Sequence, residues 1–186
     1  MHLTVEAQKI CSDALFEGAI AIDATAGNGW DTQFLAERVG ASGCVYAIDL
    51  QSSAIERAKT RLQSAALADR VRWHVGCHAR FEQIVAPEHR GQVACIMFNL
   101  GYLPHSDKST ITRAETTMPA VRAALGWLGL GGCLSILAYV GHAGGREEAE
   151  QIGLWLETLS TGFEVQRWSD ATNPDSPILW AIHRRQ

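Results

Sequence analysis

No stretch of the sequence approaches the roughly 20 consecutive apolar residues that cross a bilayer. The opening Met1-His2-Leu3-Thr4-Val5-Glu6 also lacks a basic region followed by an apolar run. Neither a membrane span nor a signal peptide is expected, and a cytoplasmic location is. Cysteine is sparse and scattered: Cys11, Cys44, Cys77, Cys95 and Cys133 are odd in number and contain no C-x-x-C pair. That spacing argues against a disulfide framework and against a zinc site, so no metal is expected. Cys44, Cys95 and Cys133 fall inside apolar runs and read as small core residues. Positive charge is short as well, 16 Lys+Arg against 20 Asp+Glu, for a net charge of −4. Neutralising phosphates favours basic surfaces, so a large nucleic-acid footprint is disfavoured while a local basic rim is not. Repeats, low-complexity tracts and linkers are absent. The 186 residues suit one domain spanning 1–186.

What is present is an alternation of short apolar runs with helix-like stretches, the pattern of a mostly parallel α/β sheet. Strands are expected at 19–23, 44–49, 71–75, 93–98, 133–140, 163–168 and 178–183. Helices are expected at 3–17, 31–39, 52–67, 115–128 and 146–160. Leu130-Gly131-Gly132 reads as a turn before the fifth strand, and 169–177 as a Pro-containing loop. Alternating units followed by two adjacent strands predict a Rossmann-like, seven-stranded sheet. It would close on an antiparallel hairpin and carry helices on both faces.

The first strand runs into Asp23-Ala24-Thr25-Ala26-Gly27-Asn28-Gly29, and a helix follows. Glycines there let the backbone approach a ligand, and a helix N-terminus offers free N–H groups to an anion. Twenty residues after Gly29, Asp49 ends the second strand, where a carboxylate accepts hydrogen bonds from ribose hydroxyls. A dinucleotide site shares this plan, and glycine turns without a ligand are common. Asp23 separates the possibilities. A carboxylate at the strand end would repel a pyrophosphate but suits the ammonium and sulfonium of S-adenosylmethionine. The loop also departs from G-x-G-x-x-G, with Thr32 in the third position. Thr25, Asn28, Asp31, Thr32, Gln51 and, at the end of the fourth strand, Asn99 complete the expected donor side. Cys77 and His78 follow the third strand at the edge where adenine would lie. An ordinary loop cysteine and histidine is the plainer alternative for those two.

The fourth strand ends in Phe98-Asn99-Leu100-Gly101-Tyr102-Leu103-Pro104. This resembles the Asn-Pro-Pro-Tyr loop of amino-directed methyltransferases, with both prolines replaced. In such a loop the Asn side chain and a backbone carbonyl accept hydrogen bonds from the substrate nitrogen and aim its lone pair at the methyl group. Three stretches carry a closer resemblance: Asp23–Thr32; Phe98–Lys108 with Thr112 and Glu115-Thr116-Thr117; and Gly141-His142-Ala143-Gly144-Gly145. Together they resemble the "Putative rRNA methylase" family, which includes the MnmM-type (YtqB-like) proteins, over about residues 3–183. The resemblance implies a class I methyltransferase fold, adenosylmethionine as donor and a tRNA substrate. The acceptor it implies is the aminomethyl group of 5-aminomethyl-2-thiouridine at the wobble position. It also implies that Asp23, Gly27, Asn28, Gly29, Asp49 and His78 contact the donor, while Asn99, Tyr102 and His142 line the acceptor side. Trp30 departs from the family, which usually shows histidine there.

An alkylamine is mostly protonated at neutral pH and must lose a proton before it attacks. His142 is a candidate base, and a loop histidine bonded to its own glycine-rich backbone is the alternative. Lys108, Arg113 and Arg146 are candidates for the anticodon backbone, although a solvated surface role suits any one of them. No cysteine lies between Asn99 and Asp107, which argues against thiol attack on a pyrimidine ring. A small-molecule N- or O-methyltransferase, an rRNA methyltransferase, an NAD-dependent dehydrogenase and a non-catalytic nucleotide-binding module stand as rival readings. Homodimerisation is left open.

Overall fold

Seven apolar segments pair into one sheet: β1 (Ile20–Asp23), β2 (Cys44–Asp49), β3 (Val71–Val75), β4 (Val93–Leu100), β5 (Leu128–Ala138), β6 (Phe163–Trp168) and β7 (Ile178–Arg184). Their spatial order is β3-β2-β1-β4-β5-β7-β6. In this computed structural model, which describes residues 2–101, 112–159 and 161–185, β1 to β5 pair in parallel. β7 runs antiparallel to both β5 and β6. The expected seven strands and closing hairpin are present.

Alternation along the strands separates two cores. Ile22, Ile96, Phe98, Leu134 and Ile136 face one side, where α4 (Phe81–Ile84), α5 (Ala114–Leu125) and α6 (Gly145–Leu156) pack. Ala21, Ala47, Cys95, Met97 and Cys133 face the other, beneath α1 (Leu3–Ser12), α2 (Trp30–Val39) and α3 (Ser52–Ser64). A two-residue period with both faces covered gives the near-continuous apolar strands of a parallel sheet. Cys95 and Cys133 are fully buried and sit opposite each other in register, with Cys11 of α1 in the same core. Cys44 is only half-buried.

Several boundaries depart from expectation; α5, expected to reach residue 128, stops at Leu125 because β5 already begins at Leu128. α1 stops at Ser12, whose hydroxyl donates back to the Lys9 carbonyl at 2.7 Å and competes with further helix. α3 stops at Ser64 because Leu67 N–H reaches the Leu62 carbonyl (2.9 Å) and Ala66 N–H the Gln63 carbonyl (3.0 Å). That pair of bonds closes a helix through a left-handed residue. α6 stops at Leu156, where Thr158 donates both its N–H and its hydroxyl to the Trp155 carbonyl. β5 begins at Leu128, paired with Val93, and the register shifts between Val93 and Cys95. The glycines at 129–132 therefore bulge the strand instead of preceding it. Short helical turns at Ala68–Arg70, His78–Arg80, Phe81–Ile84 and Pro87–His89 have no counterpart in the sequence periodicity.

Strand order reverses between β1 and β4. In an open α/β sheet the crevice beyond the carboxyl ends of such strands is where ligands bind. Asp23 ends β1, Asp49 ends β2, and Asn99 lies one residue from the end of β4. Among the described residues no helix is long and apolar enough to cross a membrane.

Candidate functional site

The loop after β1 turns sharply enough that Gly29, the residue capping α2, adopts φ +80°. A Cβ at Gly29 would meet the Ala58 Cβ of α3 at 2.8 Å, so glycine is required both for the turn and for helix–helix approach. This closeness brings the start of α2 over the sheet edge. Asp23 is fully buried and accepts the Thr32 hydroxyl at 2.6 Å and the Thr25 N–H at 3.2 Å. Burial, reinforced by the nearby Asp31 charge, raises its carboxyl from 3.8 to about 7. Asp49 accepts the Gly27 N–H through one oxygen and the Gln51 N–H through the other, both at 2.8 Å. The two loops that would embrace a nucleoside are thereby joined through a single carboxylate.

Asn99 is tied down on two sides. Its backbone N–H donates to the Thr25 hydroxyl at 2.7 Å, and its side-chain Nδ2 donates to Asp31 Oδ2. Asp31, in the first turn of α2, also accepts Gln8 Nε2 of α1 at 2.7 Å. Burial raises the Asp31 carboxyl as well. Asp23, Asp31 and Asp49 thus concentrate negative charge around one crevice. That arrangement disfavours a pyrophosphate and suits the cationic end of adenosylmethionine.

On the other flank, His78 is buried against the Phe98 ring edge, with centroids 5.7 Å apart. Burial lowers its imidazole from 6.5 to about 4, partly offset by a hydrogen bond to the Ala24 carbonyl, so it is neutral at physiological pH. Thr117 lies beside His78 and donates to Glu148 at 2.6 Å, while Thr112 donates to the other Glu148 oxygen at 2.9 Å. Glu148 is buried in the first turn of α6, and burial raises its carboxyl. The electrostatic influence of His142 acts in the opposite direction on that carboxyl, which places this histidine in the same cluster. Gly145 admits His142 closely, since a Cβ there would lie 2.7 Å from His142 Nε2. His142 Nδ1 is also 3.1 Å from the Ala143 carbonyl.

The structure therefore gathers Asp23, Thr25, Thr32, Asp31 and Asn99 into one hydrogen-bonded set and Gly27, Asp49 and Gln51 into a second. Asn28 is held outward instead, by Arg57 on its side-chain oxygen and Arg61 on its carbonyl. Trp30 is 63% exposed, with the Arg61 guanidinium 3.2 Å from its ring centroid. Cys77 is half-buried just before His78. Arg113 is exposed and lines a cavity of about 210 Å³ with Thr112, Gly144 and Glu147. Arg146 is instead paired with Asp175 at 2.9 Å beside a separate cavity against β6 and β7. Tyr102 and Lys108 lie outside the described residues. Gln8 carries no sequence signal for the site, and Glu148 reads as one of several acids on an exposed helix. Only tertiary structure turns either one inward.

Comparison with known proteins accords with this geometry. Residues 45–184 match the family described as "Putative rRNA methylase". The chain is 36% identical, over 98% of its length and 69% of the relative's, to a protein of Arabidopsis thaliana named chloroplastic tRNA (mnm(5)s(2)U34)-methyltransferase. A crystal structure of a putative rRNA-methylase from Clostridium thermocellum superposes with a TM-score of 0.91 at 34% identity, covering 97% of this chain and 96% of that one. A putative methyltransferase from Streptococcus mutans, solved in complex with SAH, gives 0.86 at 30% identity over 97% of both chains. A buried acid at the β1 end, glycines at the turn and a second acid at the β2 end thus belong to a fold that holds this cofactor's product in a relative. The chain belongs to the "Putative rRNA methylase" family of class I, S-adenosylmethionine-dependent methyltransferases.

Proposed function

We propose that the chain methylates the aminomethyl nitrogen of 5-aminomethyl-2-thiouridine at the wobble position of tRNA, acting as one methyltransferase domain over 1–186 in the cytoplasm. The observation that carries this reading is identity to the Arabidopsis wobble-uridine enzyme across nearly the whole chain. The geometry supports an amine acceptor, because Asn99 sits at the switch point backed by a carboxylate. Bound adenosylmethionine supplies a methyl group already activated by its sulfonium. Asp49 accepts the ribose hydroxyls, and Asp23 with Thr25 and Thr32 receives the ammonium side. Gly27, Asn28, Gly29, Asp31 and Gln51 shape the donor loop, and Cys77 and His78 border the adenine. Asn99 and Tyr102 orient the amine so that its lone pair forms the N–C bond as the C–S bond breaks. His142 or solvent takes the proton from the alkylammonium. Lys108 and Arg113 meet the anticodon backbone, and Arg146, already paired with Asp175, contributes less to it.

The test is methyl transfer to tRNA bearing 5-aminomethyl-2-thiouridine, read by nucleoside mass analysis, with rRNA and free alkylamines as parallel substrates. One added methyl on the wobble nucleoside is expected. Transfer to free amines or rRNA with none to this tRNA would overturn the reading. The net charge of −4 favours a small-molecule acceptor as the second reading. Sedimentation of the same preparation distinguishes monomer from homodimer. With the tRNA substrate, His142→Ala is expected to lower turnover by about 10²–10⁴-fold if the histidine is the base. The deficit should shrink as rising pH deprotonates the amine, and an unchanged pH profile would make solvent the proton acceptor.

A further inference from the structure

Three side chains from three elements make one chain of hydrogen bonds: Gln8 of α1, Asp31 of α2 and Asn99 of β4. An ionised carboxylate only accepts hydrogen bonds, whereas an Asn amide has one accepting and one donating end. With Asp31 ionised, Asn99 must turn its Nδ2 toward it, which leaves Asn99 Oδ1 facing elsewhere. The carboxylate thereby decides an amide orientation that geometry alone leaves ambiguous. Charge-assisted bonding at Nδ2 also polarises the amide and strengthens Oδ1 as an acceptor. The backbone N–H of Asn99, held by the Thr25 hydroxyl at 2.7 Å, removes the remaining freedom.

We propose that Gln8 and Asp31 are positioning residues, a relay that points Asn99 Oδ1 at the acceptor nitrogen. This rests on reading Asn99 as the acceptor-side residue. Gln8 holds the Asp31 oxygen remote from Asn99, so both carboxylate oxygens are engaged by the protein. Among the described residues, the titratable groups that feel the Asp31 charge are Asp23 from β1, Cys11 from α1, Cys95 from β4 and Tyr139 beyond β5. All four lack positive charge, so Gln8 and Asn99, together with the ionisation state itself, keep Asp31 in its role. A protonated Asp31 donates as well as accepts, and Asn99 is then free to flip.

The deciding variant is Gln8→Glu, nearly isosteric, which sets a second carboxyl against Asp31 so that the pair retains a proton to higher pH. Turnover on an anticodon stem-loop carrying 5-aminomethyl-2-thiouridine is expected to fall roughly tenfold near neutral pH. It should recover as pH rises, moving the acidic limb of the kcat profile upward by about one unit. Donor affinity by calorimetry should stay within about twofold, since the change lies behind the reacting centre. Asp31→Asn should lose turnover without recovery at any pH. A substrate-free reading accompanies these: the Asn99 side-chain NH₂ resonances should shift in Asp31→Asn and titrate at higher pH in Gln8→Glu than in the wild type. Loss of turnover and donor affinity together, with an unmoved pH profile and unmoved Asn99 resonances, would reduce Gln8 and Asp31 to structural residues. If the wild type transfers nothing to the stem-loop, the substrate reading fails, and the Asn99 resonances alone decide the relay.

Discussion

Asp23 costs the folded chain stability in return for charge at the site. Unfolded, its carboxyl titrates near 3.8, and folded near 7. Between those values the folded chain holds a proton that the unfolded chain has released, so stability falls as pH rises through this window. Asp23→Asn should therefore raise stability at pH 8 by on the order of 1–2 kcal/mol, a few degrees in Tm, with the gain vanishing toward pH 4. His78 works in the opposite sense: lowered from 6.5 to about 4, it adds stability that is lost as pH falls through that interval. Thermal melts of wild type and variant across pH 4–8 check the difference, and a variant less stable at pH 8 would contradict the burial argument. Asp49 answers to affinity instead. Asp49→Ala removes the acceptor shared by Gly27 and Gln51, and adenosylmethionine binding by calorimetry should weaken by roughly 1.5–3 kcal/mol. Asp23 and Asp49 were legible in the sequence because each ends a strand beside a glycine-rich or β–α turn. Gln8 and Glu148 were not, since their roles depend on where α1 and α6 pack.

At the scale of elements, strand positions follow directly from apolar runs, whereas helix ends depend on local hydrogen bonds that periodicity does not carry. The end of α3 shows this. Its closing residue, Ala66, adopts φ +57° in a turn where glycine is the usual occupant. Leu62 and Leu67, both buried on either side, hold the turn despite the methyl group. A left-handed conformation costs an L-residue about 1–2 kcal/mol, part of which glycine returns as unfolded-chain entropy. Ala66→Gly should stabilise the protein by about 0.5–1 kcal/mol, visible as a rise of a few degrees in Tm, with donor affinity unchanged. A lower Tm would mean that chain entropy outweighs the strain. The bulge in β5 illustrates the same limit, because a glycine cluster marks irregular backbone without saying whether a turn or a strand contains it.

Over the whole molecule, an acidic crevice and a net charge of −4 must coexist with a polyanionic substrate. The donor's positive charge offsets the crevice locally, so attraction for RNA has to come from separate basic side chains at the rim. Arg113 and Arg146, equivalent candidates in the sequence, differ in the structure. Arg113 stands exposed at the start of α5, next to the loop that carries His142. Arg146 is engaged by Asp175 and the Pro174 carbonyl on the side of the closing hairpin. An arginine already paired to a carboxylate releases little counterion on meeting a phosphate, whereas an unengaged one on the acceptor side contributes fully. Arg113→Glu should therefore weaken tRNA binding and flatten the slope of log K against log salt by about one. Arg146→Glu should change the slope by much less, and neither variant should alter adenosylmethionine affinity. Binding titrations at several salt concentrations read both effects. Equal slopes for the two variants would place the RNA across the β6–β7 edge as well, and indifference to both would remove this rim from the tRNA path altogether.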